Sequence, residues 1–315
     1  MADDLFALAD LLKINDTSLA DIEVTDLLND APFMSQALMY TPATHGTVHK
    51  YTKESAAPVV GFRAANAGRD LDSSEDTAVT ATLQILDWSF LADKALADAY
   101  VRGGAEGWIA REGRRHLRAA LFAYETQLFR GTVGGDASGF AGFADVLDDS
   151  DDSMVINAAG TTADTASSVW LVRVNEEDVT GVLGMDGVFD MGESTVIDAT
   201  DATGKHYPAY YTPGTGYTGV QVGSAYSFAR ICNLTEDSGK GLTDALVYKA
   251  LELFPSAKQP THIVMNRRSR RQLQSSRTAT NATGAPAPLP KEVENIPIVV
   301  TDAIVSAEPL LTAAA

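Results

Sequence analysis

Between residues 46 and 90 the polar and apolar positions alternate in a way that predicts strands without a core of their own. Val79, Ala81, Leu83 and Ile85 alternate with Thr80, Thr82, Gln84 and Leu86, a period of two. This predicts a returning limb over residues 76–90, paired with an outgoing limb over residues 47–53. The stretch between them, with Val59, Gly61, Phe62, Arg63, Asn66, Gly68, Arg69 and Asp70, is too long and too polar for a tight turn. An isolated two-stranded ribbon is at best marginally stable in water, and its open edges invite pairing. Other copies of the same chain are therefore expected to hold the arm, which points to assembly and away from a self-contained catalyst.

Residues 1–45 read as a second arm, with short helical pieces over 3–12, 24–28 and 31–39. A helix is expected over 91–100, then a break at Gly103 and Gly104. The longest helix is expected over 105–130, where Leu117, Leu121, Tyr124 and Leu128 form an apolar stripe and Gly131 ends it. Residues 168–235 predict short strands, with Val169 to Val172 as a buried one. From Gly241 the pattern becomes α/β. Thr243 can cap a helix whose apolar face is Leu246, Val247, Ala250, Leu251 and Phe254. A strand over 262–265, an arginine-rich helix capped by Asn266, a loop over 275–295 and a last strand over 296–301 complete the chain.

At 315 residues the chain can bury roughly 75% of its unfolded surface. No apolar run reaches the roughly 18 residues of a membrane span, so no membrane partner is expected. The N-terminus carries acids where a secretory signal carries positive charge. Cys232 stands alone, which implies no disulfide framework and fits a reducing cytoplasm.

Net charge is −18, from 42 acids and 24 bases. Nucleic-acid binders draw affinity from neutralising phosphates, so most of this surface should repel DNA or RNA. A container is not excluded, because a repelling wall lets its contents move. Residues 1–45 hold Asp3, Asp4, Asp10, Asp16, Asp21, Glu23, Asp26 and Asp30 against one base, Lys13. A second acidic run covers residues 145–165.

The usual signatures of catalysis and cofactor binding do not fit. His45 and His49 are four apart but enter a strand, where that spacing does not converge on a metal. Residues 135–139, Gly-Asp-Ala-Ser-Gly, match no nucleophilic-serine motif. Gly204-Lys205 and Gly239-Lys240 lack the rest of a phosphate loop. Residues 148–152 lack the ligand spacing and glycine of a calcium loop. No cofactor is expected.

Two arginine clusters remain. Arg267, Arg268, Arg270, Arg271 and Arg277 lie in eleven residues without an acid, and Arg111, Arg114, Arg115 and Arg118 form a stripe on the long helix. Each reads as a subunit interface, a solvated helix face or, against the overall charge, a nucleic-acid contact. Arginine's planar fork suits interfacial carboxylates, and the acidic arm is an obvious complement to the second cluster.

Taken in order, these elements resemble the major capsid proteins of tailed bacteriophages with the Hong Kong 97-type fold. Residues 31–38 (Ala-Pro-Phe-Met-Ser-Gln-Ala-Leu), 49–52 (His-Lys-Tyr-Thr) and 60–68 (Val-Gly-Phe-Arg-Ala-Ala-Asn-Ala-Gly) are similar to the arm and extended loop of those proteins. Residues 139–143 (Gly-Phe-Ala-Gly-Phe) are similar to the loop after the spine helix. The middle resembles the group typified by the gene 7 capsid protein, through a Val-Trp-Leu-Val strand, Gly-Val-Gln-Val at 219–222 and Arg-Ile-Cys-Asn-Leu at 230–234. Residues 265–302 resemble the usual ending of the fold.

The resemblance covers nearly the whole chain and implies an α+β fold in five parts. These are an N-terminal arm (1–45), an extended β-hairpin loop (46–90), a peripheral domain with spine helix and sheet (91–235), an axial domain (236–296) and a returning strand with the C-terminus (297–315). It implies hexamers and pentamers of an icosahedral shell around phage double-stranded DNA, in a virion assembled in the host cytoplasm. A portal protein and a separate scaffolding protein are implied partners, the latter because only about 45 residues precede the extended loop. It transfers no active site. Phe62, Arg63, Arg69, Asp70, Asp72, Arg111, Arg115, Arg118, Arg267 and Arg271 are the expected subunit contacts. The rival readings are an encapsulin-like compartment shell and, from another class, an acidic hydrolase using carboxylates in residues 145–201.

Overall fold

The computed structural model describes residues 31–70, 72–100, 103–184, 187, 189, 191–200, 203–279 and 285–313. The helical pieces expected at 3–12 and 24–28 lie outside these residues. The chain enters through helix α1 (Pro32–Gln36), which has proline in its first turn, where a missing N–H leaves no hydrogen bond unmade. Only these five residues of the expected 31–39 are helical, and strand β1 follows directly (Tyr40–Pro42).

Strands β2 (Val48–Ala56) and β3 (Glu75–Thr82) form an antiparallel ribbon that pairs with no third strand among the described residues. The returning limb stops short of its expected end at Phe90. At Leu83 the chain leaves the ribbon, and that side chain is buried beside Ala43 and Val182. Strands β4 (Gln84–Asp87) and β5 (Phe90–Asp93) then join two different sheets. Each change of sheet resets the alternation, so Ile85 is exposed although it shares a period with buried Leu83.

The expected helix over 91–100 shrinks to α2 (Lys94–Asp98), capped by Asp93, whose carboxylate accepts the Ala95 N–H at 2.8 Å. Its first residues are strand because Phe90 and Ala92 point into the core while Leu91 points out.

Helix α3 (Gly104–Gly134) matches the expected long helix, with Leu117, Tyr124 and Leu128 buried. At Gly131 the backbone leaves the helix with φ of 60°. A Cβ there would also collide with the Asp145 carboxylate, so both conformation and space require glycine. That carboxylate accepts the N–H groups of Thr132 (2.7 Å) and Gly142 (2.9 Å), tying the helix end to α4 (Phe143–Val146).

The remaining elements are β6 (Val155–Asn157), β7 (Ser167–Val172), β8 (Val179–Leu183), β9 (Thr195–Thr200), β10 (His206–Thr212), β11 (Thr215–Val222), β12 (Phe228–Leu234), α5 (Asp244–Leu251), β13 (His262–Met265), α6 (Arg267–Ala279), β14 (Glu292–Val293) and β15 (Ile296–Val300). Thr243 and Asn266 cap α5 and α6 as expected, accepting from the N–H groups of Leu246 (3.4 Å) and Ser269 (2.8 Å).

The strands form sheets in the orders β1-β8-β11-β4, β5-β10-β9 and β14-β15-β13-β7-β12-β6. The six-stranded sheet takes β6, β7 and β12 from before residue 235 and β13 to β15 from after it, so a boundary at residue 235 runs through one sheet. Its centre is buried on both faces, so every residue of β7 and β12 is buried, the polar Ser167, Ser168, Arg230 and Asn233 included.

Phe228 stacks on Phe143 at 4.3 Å between centroids, and Phe33 meets Phe129 edge-on at 5.2 Å. The principal core therefore joins the entering chain, the long helix and the six-stranded sheet. A smaller core under the β5-β10-β9 sheet packs Trp88, Phe90 and Tyr210 against Ile109 and Leu117 of α3.

Candidate functional site: the extended ribbon and the arginine clusters

Among the described residues, the ribbon is anchored at its base. The His49 ring meets the Gln221 side chain at 2.8 Å, and the Tyr51 hydroxyl donates to the carbonyl of Val222 at 2.8 Å. Beyond these anchors every residue described from Glu54 to Ala78 is exposed. Phe62, at the tip, is as open as in an extended peptide. Val59 and Val60 flank it at 71% and 82% exposure.

The charged residues of the tip hold the loop's own shape. Asp72 accepts the Val59 N–H at 2.9 Å. Arg69 donates to the carbonyl of Val59 and, at 3.4 Å, to that of Gly61. Arg63 donates to the carbonyl of Ala67 at 3.1 Å. Asp70 is exposed beside them. The tip therefore presents an ordered apolar point, Val59-Val60-Gly61-Phe62, on a polar frame.

The arginines of α3 are less uniform than their spacing suggests. Arg115 is exposed and pairs with Glu112 one turn back at 2.8 Å. Arg111 lies over the Tyr100 ring at 5.8 Å and donates to its hydroxyl at 3.4 Å, while Arg118 is half-buried. The acidic arm proposed as their complement lies outside the described residues.

On α6, acids from elsewhere in the chain supply what the local sequence lacks. Arg277 makes a two-pronged pair with Asp244 at 2.7 and 2.9 Å, and Arg271 pairs with Glu236 at 2.5 Å. Arg268 donates to the carbonyls of Leu234 (2.9 Å) and Ser306 (3.3 Å), which makes it an internal brace. Arg267 is exposed.

Two buried polar centres escaped sequence reasoning. Glu125 on α3 is fully buried and binds both the entering chain and Thr301. Arg230 on β12 donates to Ser168 (2.9 Å) and the Leu147 carbonyl (2.8 Å), pairs with Glu308 (3.4 Å) and lies 5.0 Å from the Trp170 ring centroid. Next to it Asn233 exchanges hydrogen bonds with the backbone of Leu311 at 2.8 and 2.9 Å. The Arg-Ile-Cys-Asn-Leu run thus pins the C-terminal segment to the sheet. An arginine among the apolar residues of a strand was the available signal.

Among the described residues, no cluster of three or more His, Cys, Asp or Glu could hold a metal ion, and no helix is long and apolar enough to cross a membrane.

The extended ribbon, the long helix and the mixed sheet sharing its core match the Hong Kong 97-type fold of solved bacteriophage capsid chains. A chain of the bacteriophage Epsilon15 structure superposes with a TM-score of 0.63 at 19% identity, covering 89% of each chain. The bacteriophage JBD30 capsid matches with a TM-score of 0.52 at 9% identity, covering 93% of this chain and 97% of that one. The holo-SrpI encapsulin complex from Synechococcus elongatus PCC 7942 gives 0.44 at 10% identity, covering 72% and 95%, too distant to weigh in the assignment. No curated protein sequence matches. The family described as Major capsid protein GP7 matches residues 16–312, and the chain belongs to that family. It is a bacteriophage major capsid protein, a repeated subunit of the virion shell.

Proposed function

We propose that copies of this capsid protein associate head-to-tail into rings of five and six, each laying its ribbon across a neighbour, to close an icosahedral shell. The observation that carries this reading is the exposure of every described residue from Glu54 to Ala78, tipped by Phe62. A head-to-tail contact uses two different surfaces and closes by rotation, which suits a protruding arm. Strength comes from apolar burial at Val59, Val60 and Phe62, since each exposed ion pair contributes about 0–1 kcal/mol. Arg63, Arg69, Asp70 and Asp72 keep that point in shape and supply its polar rim, with Arg111, Arg115 and Arg118 as further contacts.

The six-stranded sheet with α5 and α6 would be the axial part facing the ring centre. The long helix and the two smaller sheets would be the peripheral part. The role is structural, not catalytic. Shell closure would use a separate scaffolding protein and a portal protein, in the host cytoplasm. The shell would enclose double-stranded DNA without reading its sequence, consistent with a net charge of −18.

Electron microscopy and sedimentation of the protein, expressed with and without its genomic neighbours, test this reading. Closed shells of uniform size are expected. A monomer or dimer under all these conditions would overturn it.

A further inference from the structure

Three arginines of α6, Arg267, Arg270 and Arg271, line one cavity of ≈ 420 Å³. Its apolar wall is Leu289 with Val300 and Pro32, and it holds one carboxylate, Asp302. Arg267 makes no hydrogen bond or ion pair with another described residue. Arg270 donates to the carbonyl of Pro290 at 2.8 Å, which leaves its charge unneutralised. Arg271 pairs with Glu236, which is itself half exposed. The cavity is thus net positive, in a chain of net charge −18.

Pro32 is part of this wall, and Ala31 before it is buried in the principal core. Residues 21–30 carry Asp21, Glu23, Asp26 and Asp30 interleaved with Ile22, Val24, Leu27 and Leu28, and contain no base. Carboxylates suit the guanidinium forks, and leucines suit Leu289 and Val300. Asp26 is six residues from Pro32, a reach of up to about 20 Å, and a tether this short gives a local concentration on the order of millimolar.

We propose that this cavity binds the acidic, leucine-bearing segment 21–30 of the same chain, steering the N-terminal arm towards α6 and away from the arginines of α3. The docking is independent of shell formation and belongs to the single subunit.

Cysteine trapping in the full-length, unassembled protein tests it. Leu289→Cys is combined in turn with Leu27→Cys or Leu28→Cys, which leaves every charge in place; Cys232 is fully buried and does not compete. A disulfide within one chain is expected on a non-reducing gel. Its yield should fall about tenfold in 1 M salt, equivalent to about 1.4 kcal/mol, because charges are then screened beyond about 3 Å. The double reversal Arg267→Glu/Arg271→Glu should lower it similarly; if that variant fails to fold, the salt series decides. Arg115→Cys in place of Leu289→Cys should give no link. Links only between chains, links insensitive to salt, equal trapping at Arg115→Cys or no trapping at all would each overturn the proposal.

Discussion

The backbone N–H of Met34 donates to the carboxylate of Glu125 at 3.1 Å, across 91 residues of sequence. The hydroxyl of Thr301 donates to the same carboxylate. One side chain of the long helix thus ties the entering chain to the end of the last strand, with no cation paired to it among the described residues.

Burial pushes the Glu125 carboxyl up to about 7, against the opposing pull of its hydrogen bonds. The unfolded chain releases this proton near pH 4.5, the folded chain only near 7. The resulting stability is fully present below about pH 4.5 and is lost as pH rises to about 7, a change of roughly 3 kcal/mol. Glu125→Gln keeps the shape and removes the titration. Thermal melts from pH 4 to 8 should show wild type losing stability relative to Glu125→Gln as pH rises; a constant difference would place the titration elsewhere.

Asp145 closes the long helix by accepting from Thr132, Val133 and Gly142. Asp145→Ala should cost about 1–3 kcal/mol in urea unfolding, because the buried Gly142 N–H and the half-buried Thr132 N–H lose a charged acceptor. Gly131→Ala should be comparably damaging, since it combines a positive φ with a steric clash.

Tyr51→Phe removes the hydroxyl that fixes the ribbon base to Val222 and should cost about 1 kcal/mol. Amide exchange should accelerate in β2 and β3 while β7 and β12 remain protected. Equal acceleration everywhere would mean that the ribbon base is coupled to the whole core.

Deleting residues 64–75 should leave a soluble, folded subunit that no longer forms stable shells, because the described residues among them are exposed and lie outside the core. Phe62→Asp should impair assembly with melting unchanged. Normal shells from both variants would remove the ribbon from the proposed contacts.

Arg115→Glu breaks one exposed pair with Glu112, so its effect on folding should stay within about 0.5 kcal/mol. Slower assembly, followed by light scattering, would place Arg115 in an interface. Unchanged assembly would leave it a solvated residue.

Local pattern sufficed where one element keeps one environment. The long helix, the buried strand at Val169 to Val172 and the caps at Thr243 and Asn266 follow from spacing and side-chain chemistry alone. It failed where the chain changes partner: Leu83 and Ile85 share a period, but Leu83 lies where the chain leaves the ribbon and Ile85 in the next sheet, and Leu91 to Asp93 exchanged helix for strand. The exposed tip around Phe62 was legible because nothing in the sequence could cover it.

Charge was legible as an amount and not as an arrangement. The sequence by itself determined that α6 carries five arginines and no acid, that Cys232 has no partner cysteine, and that the ribbon has no core. Only the tertiary structure decided that Arg277 meets Asp244, that Arg230 pins Glu308, and that Glu125 is buried between Met34 and Thr301. Spacing along an element is set by backbone geometry, which is local. Pairing across 33 to 176 residues depends on which surfaces the core brings together, and no local pattern encodes that.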